Sequence, residues 1–201
     1  GVNTERFSPS SRCDSMRQRL SCNNPEAPLV VYVGRVSIEK NLFRFADLVK
    51  LMPGVRFAIV GDGDETERLK ALMAGMPVCF TGYLHGQDLA AAYASGDVFY
   101  LPSVTESWPL CVAEAMASGV PVVAPSIGGQ VEQVSDGIEG AIVPDHANPG
   151  AVVKALRLVL SRRQEMSVAA RKRAELGGWN KCAENLLSEL TTTLGKQVEF
   201  E

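Results

Sequence analysis

The chain has 201 residues, 46% of them hydrophobic and 21% charged, with a formal net charge of −3. That supplies one sizeable core, and the slightly acidic balance excludes a global basic field for nucleic acid. No apolar run is long enough to cross a bilayer, and no signal-peptide pattern opens the chain. The five cysteines (Cys13, Cys22, Cys79, Cys111 and Cys182) are odd in number and never paired as CxxC. They fit a reduced compartment, with Cys79 and Cys111 as packing residues in apolar runs. The first residue is Gly1, so the expectation is a chain that begins partway through a longer protein.

Residues 1–28 are polar and irregular and read as a linker, with a short helix over 15–20 and a break at Asn23, Asn24, Pro25 and Pro28. From Leu29 the pattern becomes regular. Apolar runs of strand-forming residues at 29–34, 55–61, 78–82, 97–103, 121–126 and 140–144 predict strands buried on both faces. Between and after them, helices are predicted over 42–52, 65–74, 87–94, 110–118, from Gly129 to about 135, and over 150–160. Six strand–loop–helix units imply an α/β fold with a doubly wound parallel sheet. Right-handed crossovers bring the post-strand loops to one edge, where ligands bind in such sheets. Two more helices, over 163–176 and 179–195, have no strand to pair with and pack outside the sheet or lead to another domain. The expected division is therefore a linker at 1–28, an α/β unit at 29–161 and terminal helices at 162–201.

The loops differ in chemistry. The first offers Gly34, Arg35 and Lys40, two cations suited to a diphosphate or else solvated loop residues. The second, Gly61-Asp62-Gly63-Asp64, does not match G-x-G-x-x-G and is no dinucleotide fingerprint. Its Asp62 is a turn former or a ligand contact, and Asp64 reads as a helix cap. In the third, Tyr83 and Leu84 offer surface to a flat base. His85 and His146 lack partners for a triad or a metal cluster, so no metal is expected.

The fourth loop carries most of the argument. Glu106 stands before a helix that Pro109 opens, and Glu114 lies about one turn inside it. The amides of Leu110, Cys111 and Val112 are expected as free donors at the positive helix end. A carboxylate there can take both hydroxyls of a vicinal diol such as a ribose. Taken alone, the two acids also fit a capping glutamate and a salt-bridged helix glutamate. The fifth loop holds a close-approach pair, Gly128-Gly129.

Together the stretches GVNTERFSP, VVYVGRVSIEKN, FAIVGDGDETERLK, FTGYLHGQDLAAAYASGDVFYLPSVTES and PLCVAEAMASGVPVVAPSIGG resemble the C-terminal, donor-binding half of GT-B retaining glycosyltransferases. Within that family the resemblance is strongest to sulfoquinovosyltransferases of sulfolipid synthesis, with bacterial mannosyltransferases close behind. The resemblance implies half of a GT-B fold: a Rossmann-like domain whose partner domain presents the acceptor. It implies that Arg35 and Lys40 hold the donor diphosphate, Glu106 contacts the transferred sugar and Glu114 takes the ribose. The Leu110 and Cys111 amides would bind sugar or phosphate, and Tyr83 and Leu84 would border the base. No metal or other cofactor is implied, because fixed cations and a helix end stabilise the leaving diphosphate.

The implied reaction moves a hexose from a nucleotide sugar, UDP-sulfoquinovose or a similar donor, to a diacylglycerol-type lipid. The alternatives are a GDP-mannose-dependent mannosyltransferase and a non-catalytic nucleotide-sugar-binding module or subunit. Pro109 departs from the family, which usually has a small residue there, and it removes one amide donor. The implied location is the cytoplasm or plastid stroma. Arg162, Arg163, Arg171, Lys172 and Arg173 form a basic cluster that reads as a peripheral membrane contact or as a solvated face.

Overall fold

A computed structural model describes residues 1–198 of the chain. Six strands run β1 (Leu29–Val33), β2 (Arg56–Val60), β3 (Val78–Gly82), β4 (Val98–Tyr100), β5 (Val122–Pro125) and β6 (Gly140–Val143). All neighbours pair in parallel, in the order β3-β2-β1-β4-β5-β6. The strands are short and apolar because both faces are covered: every residue of β1, β4 and β5 is buried. This is the doubly wound α/β arrangement expected from the sequence.

The helices are α1 (Asp14–Leu20), α2 (Phe45–Leu51), α3 (Thr66–Leu72), α4 (Gly86–Ala94), α5 (Leu110–Ala117), α6 (Gln130–Gln133), α7 (Pro149–Ser161), α8 (Arg163–Leu176) and α9 (Trp179–Val198). The chain moves outward from β1 to β3, then crosses back to β4 and outward to β6, so right-handed crossovers place the two sets of connecting helices on opposite faces. Accordingly α2 packs with α7, while α1, α4, α5 and α8 pack in succession. The reversal of winding falls between β1 and β4, and the loops leaving those two strands flank the crevice that results.

Several boundaries differ from expectation. The helix predicted from Leu42 begins as a 3-10 turn, Leu42–Arg44, because Asn41 turns the chain in the left-handed region at φ 54°. The helix expected after Gly129 is a single turn, ended by extended Val134. β4 stops at Tyr100, two residues before Pro102.

The linker-like residues 1–28 are also more structured than their polarity suggests. Val2, Phe7, Met16 and Leu20 enter the core. Arg17, 5% exposed, reaches under the sheet to Asp97 at 2.9 Å and to the carbonyls of Pro25, Ala27 and Ser95. Asp97 in turn accepts from the Leu29 amide at 2.8 Å and pairs with Arg163 of α8. One buried carboxylate therefore ties the leading segment, two central strands and α8 together at the amino end of the sheet. α8 buries Met166, Ala170 and Ala174 and packs on α5, so it completes a layer of this domain.

Candidate functional site

The loops at the carboxyl edge interlock before any side chain is considered. The Val36 amide donates to the Asp62 carbonyl at 2.9 Å, and the Gly34 amide to Val60 at 3.0 Å. A Cβ at Gly34 would meet the Tyr32 hydroxyl at 2.6 Å, and one at Gly61 would collide with the Gly34 carbonyl. Glycine lets the first two loops close on each other here. On the other side of the crevice, the Gly129 amide donates to the Glu106 carbonyl at 2.8 Å. A Cβ on Gly129 would collide with the Ser107 carbonyl. The Gly128-Gly129 pair thus serves close approach to the loop that holds Glu106.

Across the crevice, Lys40 Nζ lies 2.6 Å from Glu106 Oε1. Both side chains are about four-fifths covered, at 23% and 16% relative exposure, so the pair is partly withdrawn from solvent while still open to a ligand. Lys40 ends a short 3-10 turn whose next residue, Asn41, donates from its side chain to the Pro102 carbonyl at 3.5 Å. That bond sets the first loop against the fourth. The Ser37 hydroxyl donates to Glu39 at 2.6 Å and, with the Glu39 amide, holds that carboxylate below its ordinary pKa. Arg35 is exposed at the loop surface, and its carbonyl accepts from the Tyr32 hydroxyl. Its guanidinium makes no ion pair among the described residues.

α5 starts at Leu110, as its predicted span has it, with Pro109 outside it and not at the first helical position. Pro109 is the cap, with extended ψ of 109°, and its carbonyl accepts from the Val112 amide at 3.1 Å. Val112 is therefore not a free donor, a correction to the expected set of three. The amides of Leu110 and Cys111, at the start of α5, have no acceptor among the described residues. The Cys111 thiol is pushed up to about 12 by burial and the nearby Glu106 and Glu114 charges, so it is an inert packing group.

Glu114 accepts from the Tyr93 hydroxyl at 2.8 Å. Burial raises its pKa, while the Tyr93 bond and the Arg6 charge act in the opposite sense. Tyr93 was invisible as a site residue in the sequence. Its only signal there is a hydroxyl at the end of an alanine run, 21 residues from its partner.

The remaining candidates divide. The Asp62 carboxylate is already engaged, accepting from Thr66 Oγ1 at 2.6 Å and the Gly63 amide at 2.8 Å, which hold its pKa down. The Asp62 carbonyl accepts from the Val36 amide and the Tyr83 hydroxyl, so the residue shapes the turn. Asp64 does not cap α3; Glu65 occupies the cap position, without a capping bond. Tyr83 is 59% exposed, donates to the Asp62 carbonyl at 2.9 Å and stacks on His85 at a 19° interplanar angle. Leu84 packs partly on the core behind it. Among the described residues no three His, Cys, Asp or Glu side chains gather into a metal cluster.

The basic cluster on α7 and α8 is largely spent internally. Arg162 pairs with Glu165, Arg163 with Asp97 and Arg171 with Glu175 and three carbonyls, and Arg173 donates to the Glu132 carbonyl. Among the described residues no helix is long and apolar enough to cross a membrane.

The crevice thus presents a cation paired to a carboxylate, free amides at a helix end and a second, half-buried carboxylate. Known proteins share this chain's pattern. Over 195 residues it is 42% identical to the sulfoquinovosyl transferase SQD2 of Arabidopsis thaliana, covering 94% of this chain and 38% of that protein. It is 35% identical to a GDP-mannose-dependent alpha-mannosyltransferase of Mycobacterium tuberculosis, over 98% of this chain and 51% of that protein. The chain thus spans about half or less of the length of these relatives. Among solved structures, the sucrose-phosphate synthase of Thermosynechococcus elongatus superposes with a TM-score of 0.81 at 25% identity, over 98% of this chain and 52% of that one. The family profile described as "Glycosyl transferases group 1" matches residues 18–176, and the chain belongs to that family.

Proposed function

We propose that this chain is the donor-binding half of a retaining hexosyltransferase that takes a nucleotide sugar, UDP-sulfoquinovose or a similar donor, and glycosylates a diacylglycerol-type lipid. The observation that carries the reading is the Lys40–Glu106 pair across the reversal of winding, 2.6 Å apart beside the unfilled amides of Leu110 and Cys111. A bound donor diphosphate recruits Lys40 and Arg35 as charge-assisted donors. Glu106, released from Lys40, turns to hydroxyls of the transferred sugar. The helix end and the two cations stabilise negative charge as the sugar–phosphate bond breaks, and the nucleotide departs. Glu114 takes the ribose diol, with Tyr83 beside the base.

The acceptor, in this reading, is presented by a second domain facing the crevice. The terminal helix supports this, since Trp179, Leu186, Leu187 and Leu190 are all at least half exposed. The 35% identity to a GDP-mannose-dependent enzyme favours a second reading, with guanine and mannose in the same pockets. Calorimetric titration with UDP, GDP, ADP and their sugars separates the two. Binding confined to uridine nucleotides supports the first, and binding confined to guanosine nucleotides the second. No binding of any by the folded chain refutes the donor site. This chain alone, supplied with UDP-sulfoquinovose and diacylglycerol, is expected to make no glycolipid.

A further inference from the structure

We infer that Tyr93 is a positioning residue for the donor nucleotide, aiming the Glu114 carboxylate at the ribose diol and in turn braced by the leading segment of the chain through Phe7. The inference rests on the donor-site reading above and deepens it.

Tyr93 is 1% exposed, so its hydroxyl has no route to bulk water, and among the described residues its one hydrogen-bond partner is Glu114 Oε2. Burial and the nearby Glu114 charge push the phenol far above its ordinary range, so it stays a proton donor at any working pH. An ionised carboxylate has about four lone-pair sites. Tyr93 fills one on Oε2, which leaves Oε1 and the outer side of Oε2 for two vicinal hydroxyls. Without that bond the Glu114 side chain is free to rotate about its last torsion, which is broad.

The ring itself is clamped. Phe7 meets it edge-on at 5.6 Å and 87°, and Phe99 of β4 packs at 5.9 Å. Alanines at 90, 91, 92 and 94 let α4 approach closely enough for the phenol to reach α5. Arg6, next to Phe7, donates to the Gly86 carbonyl at 3.3 Å and places its charge where it favours ionised Glu114. The groups facing Glu114 are therefore Tyr93 from α4, Arg6 from the leading segment and Cys111 from its own helix. The leading segment thus supports the nucleotide site as well as connecting to it.

The test is a thermodynamic cycle by calorimetry with UDP and 2′-deoxy-UDP on wild type, Tyr93→Phe and Glu114→Gln. In wild type, losing the 2′-hydroxyl weakens binding about tenfold, the size of one hydrogen bond to a charged group. Tyr93→Phe is expected to weaken UDP about five- to tenfold and to weaken 2′-deoxy-UDP, which keeps only the 3′-hydroxyl contact, clearly less, so that discrimination between the two shrinks. Equal weakening of both ligands, or unchanged discrimination between them, overturns the proposal and leaves Tyr93 a packing residue.

If Glu114→Gln binds UDP as tightly as wild type, the donor-site reading itself falls. If Glu114→Gln weakens UDP while Tyr93→Phe keeps full discrimination, only the positioning role falls. Should Tyr93→Phe be too unstable to titrate, 3-fluorotyrosine at that position keeps the ring's shape. Its fluorine resonance must shift on adding UDP and shift less with 2′-deoxy-UDP, and an unmoved resonance refutes the role.

Discussion

Lys40 and Glu106 come from different halves of the sheet's winding, 66 residues apart in sequence, and meet at 2.6 Å across the crevice. Without ligand each neutralises the other, so the crevice carries no exposed unpaired charge at this point. A diphosphate competes with Glu106 for the ammonium. Lys40→Ala is therefore expected to remove a charged hydrogen bond of about 1.5–3 kcal/mol and weaken UDP roughly 10- to 100-fold. Glu106→Gln frees Lys40 and is expected to leave UDP binding equal or tighter while lowering the preference for the sugar nucleotide over UDP. Titration of both variants with UDP and UDP-glucose checks this. An unchanged UDP affinity in Lys40→Ala would remove the phosphate role.

The Glu114 carboxylate makes nucleotide binding depend on pH in a defined direction. Burial, the largest influence, raises its pKa above the 4.5 of a free glutamate, against the lowering from Tyr93 and Arg6. Its protonated form therefore persists to higher pH in the folded chain than in the unfolded one. Any stability from burying the neutral acid is fully present below 4.5 and is lost as pH rises through the raised value. Diol binding needs the ionised form and runs the other way. UDP affinity is expected to fall as pH drops through the raised Glu114 value, while Glu114→Gln is weaker and flat there. Calorimetry across that value is the check, and a wild-type profile as flat as the variant's counts against the ribose role.

Gly129 holds the Glu106 loop by backbone alone. Its φ of −67° suits any residue, so substitution costs space and not torsion. Gly129→Ala drives a methyl into the Ser107 carbonyl and displaces the Gly129 amide from Glu106. The expected cost is about 1–3 kcal/mol of stability, with a further loss of sugar-nucleotide affinity relative to UDP, because Glu106 moves. Gly150→Ala is the control. There the added Cβ meets only the Asn148 side chain, at 3.2 Å, and touches no part of the Glu106 loop. Chemical denaturation and titration of both variants separate the general effect from the local one.

The fold was legible because period and composition act locally. Runs such as LVVYV and RFAIV predict buried strands without reference to anything distant, and both are strands in the structure. The carboxyl-edge location of Lys40, Glu106 and Glu114 follows from strand order and crossover handedness, which alternating units already imply. What could not be read depends on long-range contact. Tyr93 bonds a residue one strand and one loop away, and nothing in AAAYAS marks it. Nothing local marks Arg17 as a buried charge, because its partner Asp97 lies 80 residues on. Pro109 shows the limit of local rules: proline suits both a cap and a first helical position, and the Val112 amide is occupied because the first turn tightens into an i→i−3 bond to the Pro109 carbonyl.

Arg17 and Asp97 also give the sharpest stability test, since both side chains are nearly sealed, at 6% and 3% exposure. The pair is hydrogen-bonded on all sides, with three carbonyls on Arg17 and the Leu29 amide on Asp97. Removing one partner strands a buried charge, at a cost of about 3–5 kcal/mol. Arg17→Met is expected to reach the lower part of that range, because Arg163 still faces Asp97. Asp97→Asn is expected to reach the upper part, because it leaves buried Arg17 without an anion. Both lie on the amino side of the sheet, remote from the crevice. At temperatures where the variants remain folded, UDP affinity should match wild type. Urea denaturation read alongside calorimetry tests both halves of the statement. A destabilisation under about 1 kcal/mol, the size expected of an exposed surface pair, would mean that the network contributes little.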